Sequence, residues 1–511
     1  MLRRVFLAAL LTTAVFAQKT GYRELPAKTL HDKIAGGWAG QMIGVSFGAP
    51  TEFKSNGRIF EGALPAWTPA RVSNSLQQDD LYVDMTFAKV LDDKGLDATS
   101  DDFGEMFKHA RYSLWHANLA GRRNLNRGIP GSQSGLPEYN VHANDIDFQI
   151  ESDFIGLMAP GLYRSATDIA MRAGRVMNYG DGLYGGIFVS CMYSAGFFES
   201  DPRRVVEIGL SCIPARSPYA LLIADVLAWS KQYPQDWKKV WSLLEEKWDK
   251  NDPCPEGALR PFNIDAKLNG AYIALGLLFG NSDFGRTIEI ATRAGQDSDC
   301  NPASAGGILG VMLGYERIPD LYKSGIPALA DKKFDYTDFS FTSIVESTDK
   351  RALALIRATG GQVEGDKLLV KAQAPNPPRL ALWNYGTVAE RVLSSDARWT
   401  WKGPWRNDRQ RANRRASQQG AEASIDFEGT GFVVAGPLMP TGGKLDVYLD
   451  GKLGRRVDAN SDETETIGGE SLWHAFGLKP GKHNVRVMVL GEPFGNHKGT
   501  DVAVDSLIVY K

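Results

Sequence analysis

Two short acidic clusters are the residues of this chain best suited to chemistry. Gln78-Asp79-Asp80 stands directly before a helical pattern that begins near Leu81. Asp297-Ser298-Asp299-Cys300-Asn301 follows Gly295 and precedes the small-residue helical run Ala303–Leu313. Each cluster puts two carboxylates within three residues at a predicted helix N-terminus. A helix dipole favours one acid there by less than about 1 kcal/mol, and an N-capping aspartate with an exposed neighbour would account for either cluster alone. Two such clusters are better explained by a shared cation, because hard divalent ions take oxygen ligands.

The elements that must position these acids are helical. From about Leu30 to Pro319 apolar residues recur at helix spacing, as in Ile34, Trp38, Met42 and Ile43, or Leu81, Met85, Ala88 and Leu91. Further helices are predicted over roughly 101–116, 166–176, 187–198, 218–231, 237–250 and 266–278. Asp201-Pro202 and Ser217-Pro218 read as helix starts, a capping residue before a proline. Glycine-rich loops such as Gly128–Gly135 and Gly180–Gly186 separate the helices. From about Leu380 short β-branched and aromatic runs alternate with turns, and Asp450-Gly451 between Leu445–Leu449 and Lys452–Val457 signals a hairpin. That rhythm predicts a β-sandwich. The expected plan is multidomain: residues 18–334 all-α, 335–377 a connector with a helical run near Arg351–Thr359 and a possible strand at Lys367–Ala372, and 378–511 a β-sandwich.

At the N-terminus, Met1-Leu2-Arg3-Arg4, the apolar run Val5–Ala17 and small residues before Gln18 form the pattern of a signal peptide over residues 1–17. The expected location is therefore secreted or periplasmic. No other stretch is apolar for the roughly 18 residues that a membrane span needs. The net charge of -2 gives no pull toward nucleic acid, and no nucleic-acid partner is expected. Four cysteines in 511 residues are not a disulfide scaffold; a bridge is permitted, spacing does not say which pair, and Cys191 reads as a small buried hydrophobe. The seven histidines show no zinc-type spacing; His109 and His116 could share one helix face, in ordinary packing.

Four blocks resemble the ADP-ribosylglycohydrolase family, over about residues 30–320. They are Ile34–Gly44 running into Gly48-Ala49-Pro50-Thr51-Glu52, then Gln78-Asp79-Asp80, then Gly156-Leu157-Met158-Ala159-Pro160, and lastly Ala294–Ala303 running on to Gly310. The resemblance implies an all-α orthogonal bundle with two Mg2+ ions at its centre. It implies metal ligation by Asp79, Asp80, Asp297 and Asp299, with Gln78 and Cys300 where the family has threonines. A glutamine carbonyl can replace a hydroxyl on magnesium, whereas a thiol suits a hard ion poorly, so the expected occupancy is one or two Mg2+ ions, with other divalent ions as alternatives. Glu52 matches the family's acid near the sugar and is the candidate general acid/base, with Asp80 and Asp299 beside it as catalytic candidates. Gly156, Met158 and Asn178 match positions lining the substrate cleft. Ala159 and Asn178 stand where the family has arginine and histidine, which makes recognition of a pyrophosphate doubtful.

The function this implies is hydrolysis of a glycosidic bond to a ribose-like sugar, through an oxocarbenium-like transition state. The substrate would be a small molecule or glycan: ADP-ribose conjugates, or an extracellular furanoside. The alternative is a non-catalytic sugar-binding protein on the same fold. Of the acids Asp145, Asp147, Glu151 and Asp153, one is expected to face the site and the rest to be solvated. The polar loop Asn126–Gly135 could touch a substrate. The C-terminal hairpins resemble a galactose-binding-like jelly roll, with Trp401, Trp405, Trp473 and Phe476 as candidate sugar platforms.

Overall fold

The structure, a computed structural model, describes residues 21–249, 254–408 and 412–511. The predicted signal peptide lies outside the described residues. The N-terminal region is helical and organised about two helices of unusual composition. Helix Ala27–Gly48 is buried from Ile34 onward, and helix Cys300–Leu313 is buried through Met312. Neither has a polar face, as befits helices surrounded by others. They run antiparallel in contact along a glycine stripe. A Cβ on Gly36, Gly40, Gly44 or Gly48 would lie 2.0–2.3 Å from the backbone oxygen of Gly310, Gly306, Pro302 or Ser298, respectively. Only glycine permits that approach. It carries the end of the first helix, and with it Glu52, to the start of the other, where Asp297 and Asp299 sit.

Asp201 and Ser217 cap their helices through side-chain oxygens, as the Asp-Pro and Ser-Pro pairs predict. The run predicted over 101–116 is two helices, Ser100–His109 and His116–Asn126. His109 and His116 therefore do not share a helix face. The second of these helices escapes periodicity analysis because a polar side of it is covered by the C-terminal domain rather than by solvent. The segment 335–377 is more than a connector. Helix Phe341–Ala358 and strand Lys367–Lys371 add Ile344, Val345, Ala352, Leu355, Ile356, Leu368 and Val370 to the helical core. The strand pairs antiparallel with Tyr22–Pro26, tying the two ends of the domain together. Its signal was weak because its partner strand is distant in sequence.

The C-terminal region is antiparallel β. A seven-stranded sheet has the order Lys452–Asp458, Gly443–Leu449, Ile467–Pro493, Glu422–Leu438, Ser506–Tyr510, Val388–Leu393, with Thr400–Lys402 also on Glu422–Leu438. Strands Val502–Val504, Asn413–Ala416 and Arg406–Asp408 form a three-stranded sheet. Side chains from both, among them Val434, Val447, Val487, Ala416, Val502 and Val504, enclose one core, which is the predicted sandwich. Asp450 and Gly451 both have positive φ, 51° and 78°, as the predicted hairpin turn requires. The domain docks onto helix His116–Asn126 through charge. Arg123 and Arg127 reach Asp458 Oδ1 at 2.9 and 2.8 Å, Arg127 reaches Asp462 Oδ2 at 2.9 Å, and Arg122 pairs with Glu463.

Among the described residues Cys191 and Cys212 form a disulfide. The expectation for Cys191 is thus half met: it is buried, but its sulfur is bonded to the cysteine directly after the next helix, Pro202–Ser211. No helix among the described residues is long and apolar enough to cross a membrane.

Candidate metal centre

Helix Asp79–Lys94 starts two residues before the predicted Leu81, so Asp79 and Asp80 occupy its first turn. Gln78 holds the N-cap position with no side-chain cap bond, its amide donating to Asn74 Oδ1 at 3.0 Å, while Asp79 Oδ1 accepts the first-turn N–H of Asp80 at 3.2 Å. Asp299 is the N-cap of helix Cys300–Leu313, and it too makes no side-chain cap bond. The two acidic clusters face each other. Donor atoms of Asp80, Asp299 and Cys300 lie within 4.8 Å of one another, and so do those of Glu52, Asp297 and Asp299. Glu52 is brought in by the glycine stripe and by backbone pairing of its neighbour: Phe53 N–H donates to Gln296 O at 3.1 Å, and Gln296 N–H to Ser55 O at 3.3 Å. Gly295, with φ 89°, makes that pairing possible, since a Cβ there would meet Ser55 O at 2.3 Å.

The electrostatics are those of a site built for added positive charge. Asp80 is 0% exposed, and burial followed by the charges of Asp79 and Asp299 raises its pKa well above the usual carboxylate range. Burial, then Glu52, pushes Asp297 up to about 8. Burial, then Asp297, raises Asp299. Glu52 is exposed as a residue, yet a carboxyl oxygen of it lies within 4.8 Å of Asp297 and Asp299, and desolvation, with the Asp79 charge second, raises it too. Buried carboxylates without cations are costly, and here they crowd together. Asp80 Oδ1 and Asp297 Oδ1 are buried with no hydrogen-bond partner. Orphaned anionic oxygens of this kind fit a hard divalent ion, which would satisfy both.

Cys300 also faces the acids. Its Sγ lies 3.3 Å from Asp80 Oδ2, and burial, with Asp297 next, raises its pKa so that it stays a thiol and donates. Asp84 was missed in the sequence reading. It lies one turn after Asp80, 0% exposed, accepting the Phe154 N–H at 3.2 Å. The i, i+4 spacing on one helix face was the available signal.

Several expectations change. Asp145, Asp147, Glu151 and Asp153 are all buried rather than mostly solvated. Asp147 accepts the Asn118 N–H at the start of helix His116–Asn126, and Asp153 accepts Tyr193 Oη–H at 2.7 Å. Their helical segment runs through the interior, which a local sequence window does not reveal. Gly156 and Met158 lie in packing: a Cβ on Gly156 would meet Ser190 O at 2.4 Å, and Met158 is 0% exposed. Asn178 uses its whole amide on backbone, donating to Ala143 O and Asp145 O and accepting from Phe148 N–H. Trp401, Trp405, Trp473 and Phe476 are half-buried and turned toward other rings, with centroids 4.9 Å apart for Trp401–Trp405, 5.4 Å for Trp473–Phe432 and 5.0 Å for Phe476–Tyr510.

No curated protein matches the chain. Among solved structures, an "ADP-ribosylglycohydrolase-related protein complex" is similar at 16% identity and a TM-score of 0.40, over 65% of this chain and 99% of that one. A family two carbohydrate esterase from Cellvibrio japonicus is similar at 16% identity and a TM-score of 0.18, over 24% of this chain and 32% of that one. The CBM36-1 domain of a multidomain xylanase from the hindgut metagenome of Trinervitermes trinervoides is similar at 13% identity and a TM-score of 0.18, over 23% and 94%. Membership is decided by the family match, which runs through residues 26–346 and so takes in the glycine stripe and both acidic clusters. On that match, the chain belongs to the ADP-ribosylglycohydrolase family.

Proposed function

We propose that the protein is an exported, divalent-metal-dependent hydrolase that cleaves a glycosidic bond to a ribose-like sugar. The observation that carries this reading is the pair of orphaned buried oxygens, Asp80 Oδ1 and Asp297 Oδ1, in a cluster of acids at two helix starts where no side chain makes an N-cap bond. Asp79, Asp80, Asp297 and Asp299 would hold Mg2+, with Gln78 and Cys300 flanking them. Bound there, the metal would supply Lewis acidity toward sugar hydroxyls and water. Glu52 would orient the sugar or move a proton at its carboxyl oxygen, a task that a raised carboxyl pKa suits. The clustered acids would favour the developing positive charge of an oxocarbenium-like transition state. Export is supported by the leader-like residues 1–17 and by the Cys191–Cys212 bridge, which persists in oxidising compartments.

The substrate classes are ADP-ribose conjugates and furanosides. The test is hydrolysis of both, with Mg2+ and with chelator, by the wild type and Asp297→Asn/Asp299→Asn. Turnover that disappears with chelator and in the variant is the expected result; absence of saturable Mg2+, Ca2+ or Mn2+ binding to the wild type overturns it. One observation favours a second reading. The Cys300 thiol directed at Asp80 is a poor ligand for magnesium, which suits a sugar-binding protein without turnover. Sugar binding with no product from any substrate would select it.

A further inference from the structure

A different set of side chains converges beside the domain junction. His116 opens helix His116–Asn126, His142 and Asp145 lie in the turn before Asp147–Ile150, and Cys254 lies in the stretch between helices Trp237–Trp248 and Ala266–Gly280. None of the four belongs to the carboxylate set around Asp80 and Asp297. Their donor atoms all fall within 4.8 Å of one another. His142 Nδ1 is 2.8 Å from Asp145 Oδ2 and 3.2 Å from Cys254 Sγ, and His116 Nδ1 is 3.9 Å from Asp145 Oδ2. A tetrahedral zinc site with bonds of about 2.0–2.3 Å has donor–donor edges of roughly 3.3–3.8 Å. The cluster is thus close to that geometry.

The surroundings match those of a ligand set. The far nitrogen of His142, Nε2, is 3.2 Å from Glu470 Oε2 of the β domain, the carboxylate support that a metal-bound imidazole commonly has. Asp145 is held from behind, its backbone oxygen accepting from Asn178 Nδ2 at 2.8 Å. His116 adopts φ 45°, a conformation non-glycine residues rarely take, and its ring stacks on Phe262. Cys254 is 0% exposed, which gives its sulfur no approach to a substrate.

We propose that His116, His142, Asp145 and Cys254 form a second, structural metal site for a borderline divalent transition ion such as Zn2+. Thiolate and imidazole donors select zinc over magnesium, and four protein ligands close the coordination sphere, as in structural sites. Cys254 would bind as thiolate, releasing its proton to solvent when the ion enters. The ion would pin the start of helix His116–Asn126 to the 142–145 turn and to Cys254, on the far side of the backbone pairing of Asp145 with Asp265. Through Glu470 it would also reach the β domain. Phe262, packed 5.1 Å from Phe53, links the same stretch to the residue after Glu52.

The test uses the full chain, stripped with chelator and titrated with Co2+ and then Zn2+. The expected result is one equivalent of Co2+ giving a sulfur-to-metal charge-transfer band and intense tetrahedral absorption, displaced by one equivalent of Zn2+. Cys254→Ser should abolish the band, and His116→Ala should weaken binding by about 100-fold or more, beyond the loss typical of outer-shell changes. Asp297→Asn/Asp299→Asn should keep the band, which separates this site from the carboxylate centre. A folded wild type without a thiolate band overturns the proposal, as does a band that survives in Cys254→Ser. Should Cys254→Ser fail to fold, the wild-type spectrum and His116→Ala decide, because His116 sits partly open at its helix start.

Discussion

Gly44→Ala sets two physical effects against each other. Helix propensity says that alanine in a helix interior stabilises by about 0.5–1 kcal/mol. Packing says the opposite here. The added Cβ would lie 2.0 Å from Pro302 O, and also against the carbonyl carbon of Pro302 and the Cα of Ala303, where ordinary contact begins at 3.4 Å. Backbone cannot rotate away as a side-chain tip can, so the helices must separate by roughly 1 Å. Overpacking of this kind costs about 1–3 kcal/mol, and contact with backbone argues for the upper end. The net loss should be about 2 kcal/mol, lowering Tm by roughly 3 °C in a domain that runs from Tyr22 to Lys371. The same displacement moves Asp297 and Asp299 relative to Glu52, and shifts of about 1 Å at a reacting centre can cost about 100-fold in rate. Differential scanning calorimetry and Mg2+ titration of the same samples read both effects. Gly468→Ala, where a Cβ meets nothing within 4 Å, is the control. A raised Tm with unchanged Mg2+ affinity in Gly44→Ala would refute the claim that the glycine stripe sets the metal centre.

Cys300→Ser replaces a soft thiol with a hard hydroxyl beside Asp80, and calorimetry should show Mg2+ binding severalfold tighter and Cd2+ binding weaker; unchanged preference would place Cys300 outside the ligand set. Burial, then the Asp249 charge, pushes Glu245 up to about 8. Its folded pKa exceeds the ordinary 4.5, so its share of stability is present at low pH and falls as pH rises from about 4.5 to 8. Glu245→Gln should therefore gain in Tm relative to wild type as pH goes from 5 to 8, and a constant difference would contradict the assignment. Removing the Cys191–Cys212 bridge, which closes a loop of sequence separation 21, should cost about 3 kcal/mol; an unaltered Tm in Cys191→Ala/Cys212→Ala would rule that out.

What could be read ahead of the structure followed from local chemistry. Asp-Pro and Ser-Pro helix starts, the Asp450-Gly451 turn and the two acidic clusters each depend on residues a few positions apart, and each is present as expected. The convergence of the clusters was legible only through family resemblance, because Asp80 and Cys300 are 220 residues apart. The same distance problem hid the histidine–cysteine group, where His142 and Cys254 are separated by 112 residues without any spacing motif. Burial of Asp145, Asp147, Glu151 and Asp153 escaped because charge in a sequence window suggests solvent. Here backbone amides, the Asn118 side chain, Tyr193 and His142 answer those carboxylates instead.

The arginine-rich face of helix His116–Asn126 limits how freely the two halves of this protein can be recombined. Arg122, Arg123 and Arg127 find their counter-ions on Asp458, Asp462 and Glu463, so the helical half on its own would present three uncompensated cations on one side of a single helix. A C-terminal module lifted from another protein could not simply be grafted in place unless it brought an equivalent acidic turn. The β half therefore behaves less like a portable attachment than like a matched part. Its boundary at the level of the sequence is not a line along which the molecule can be cut.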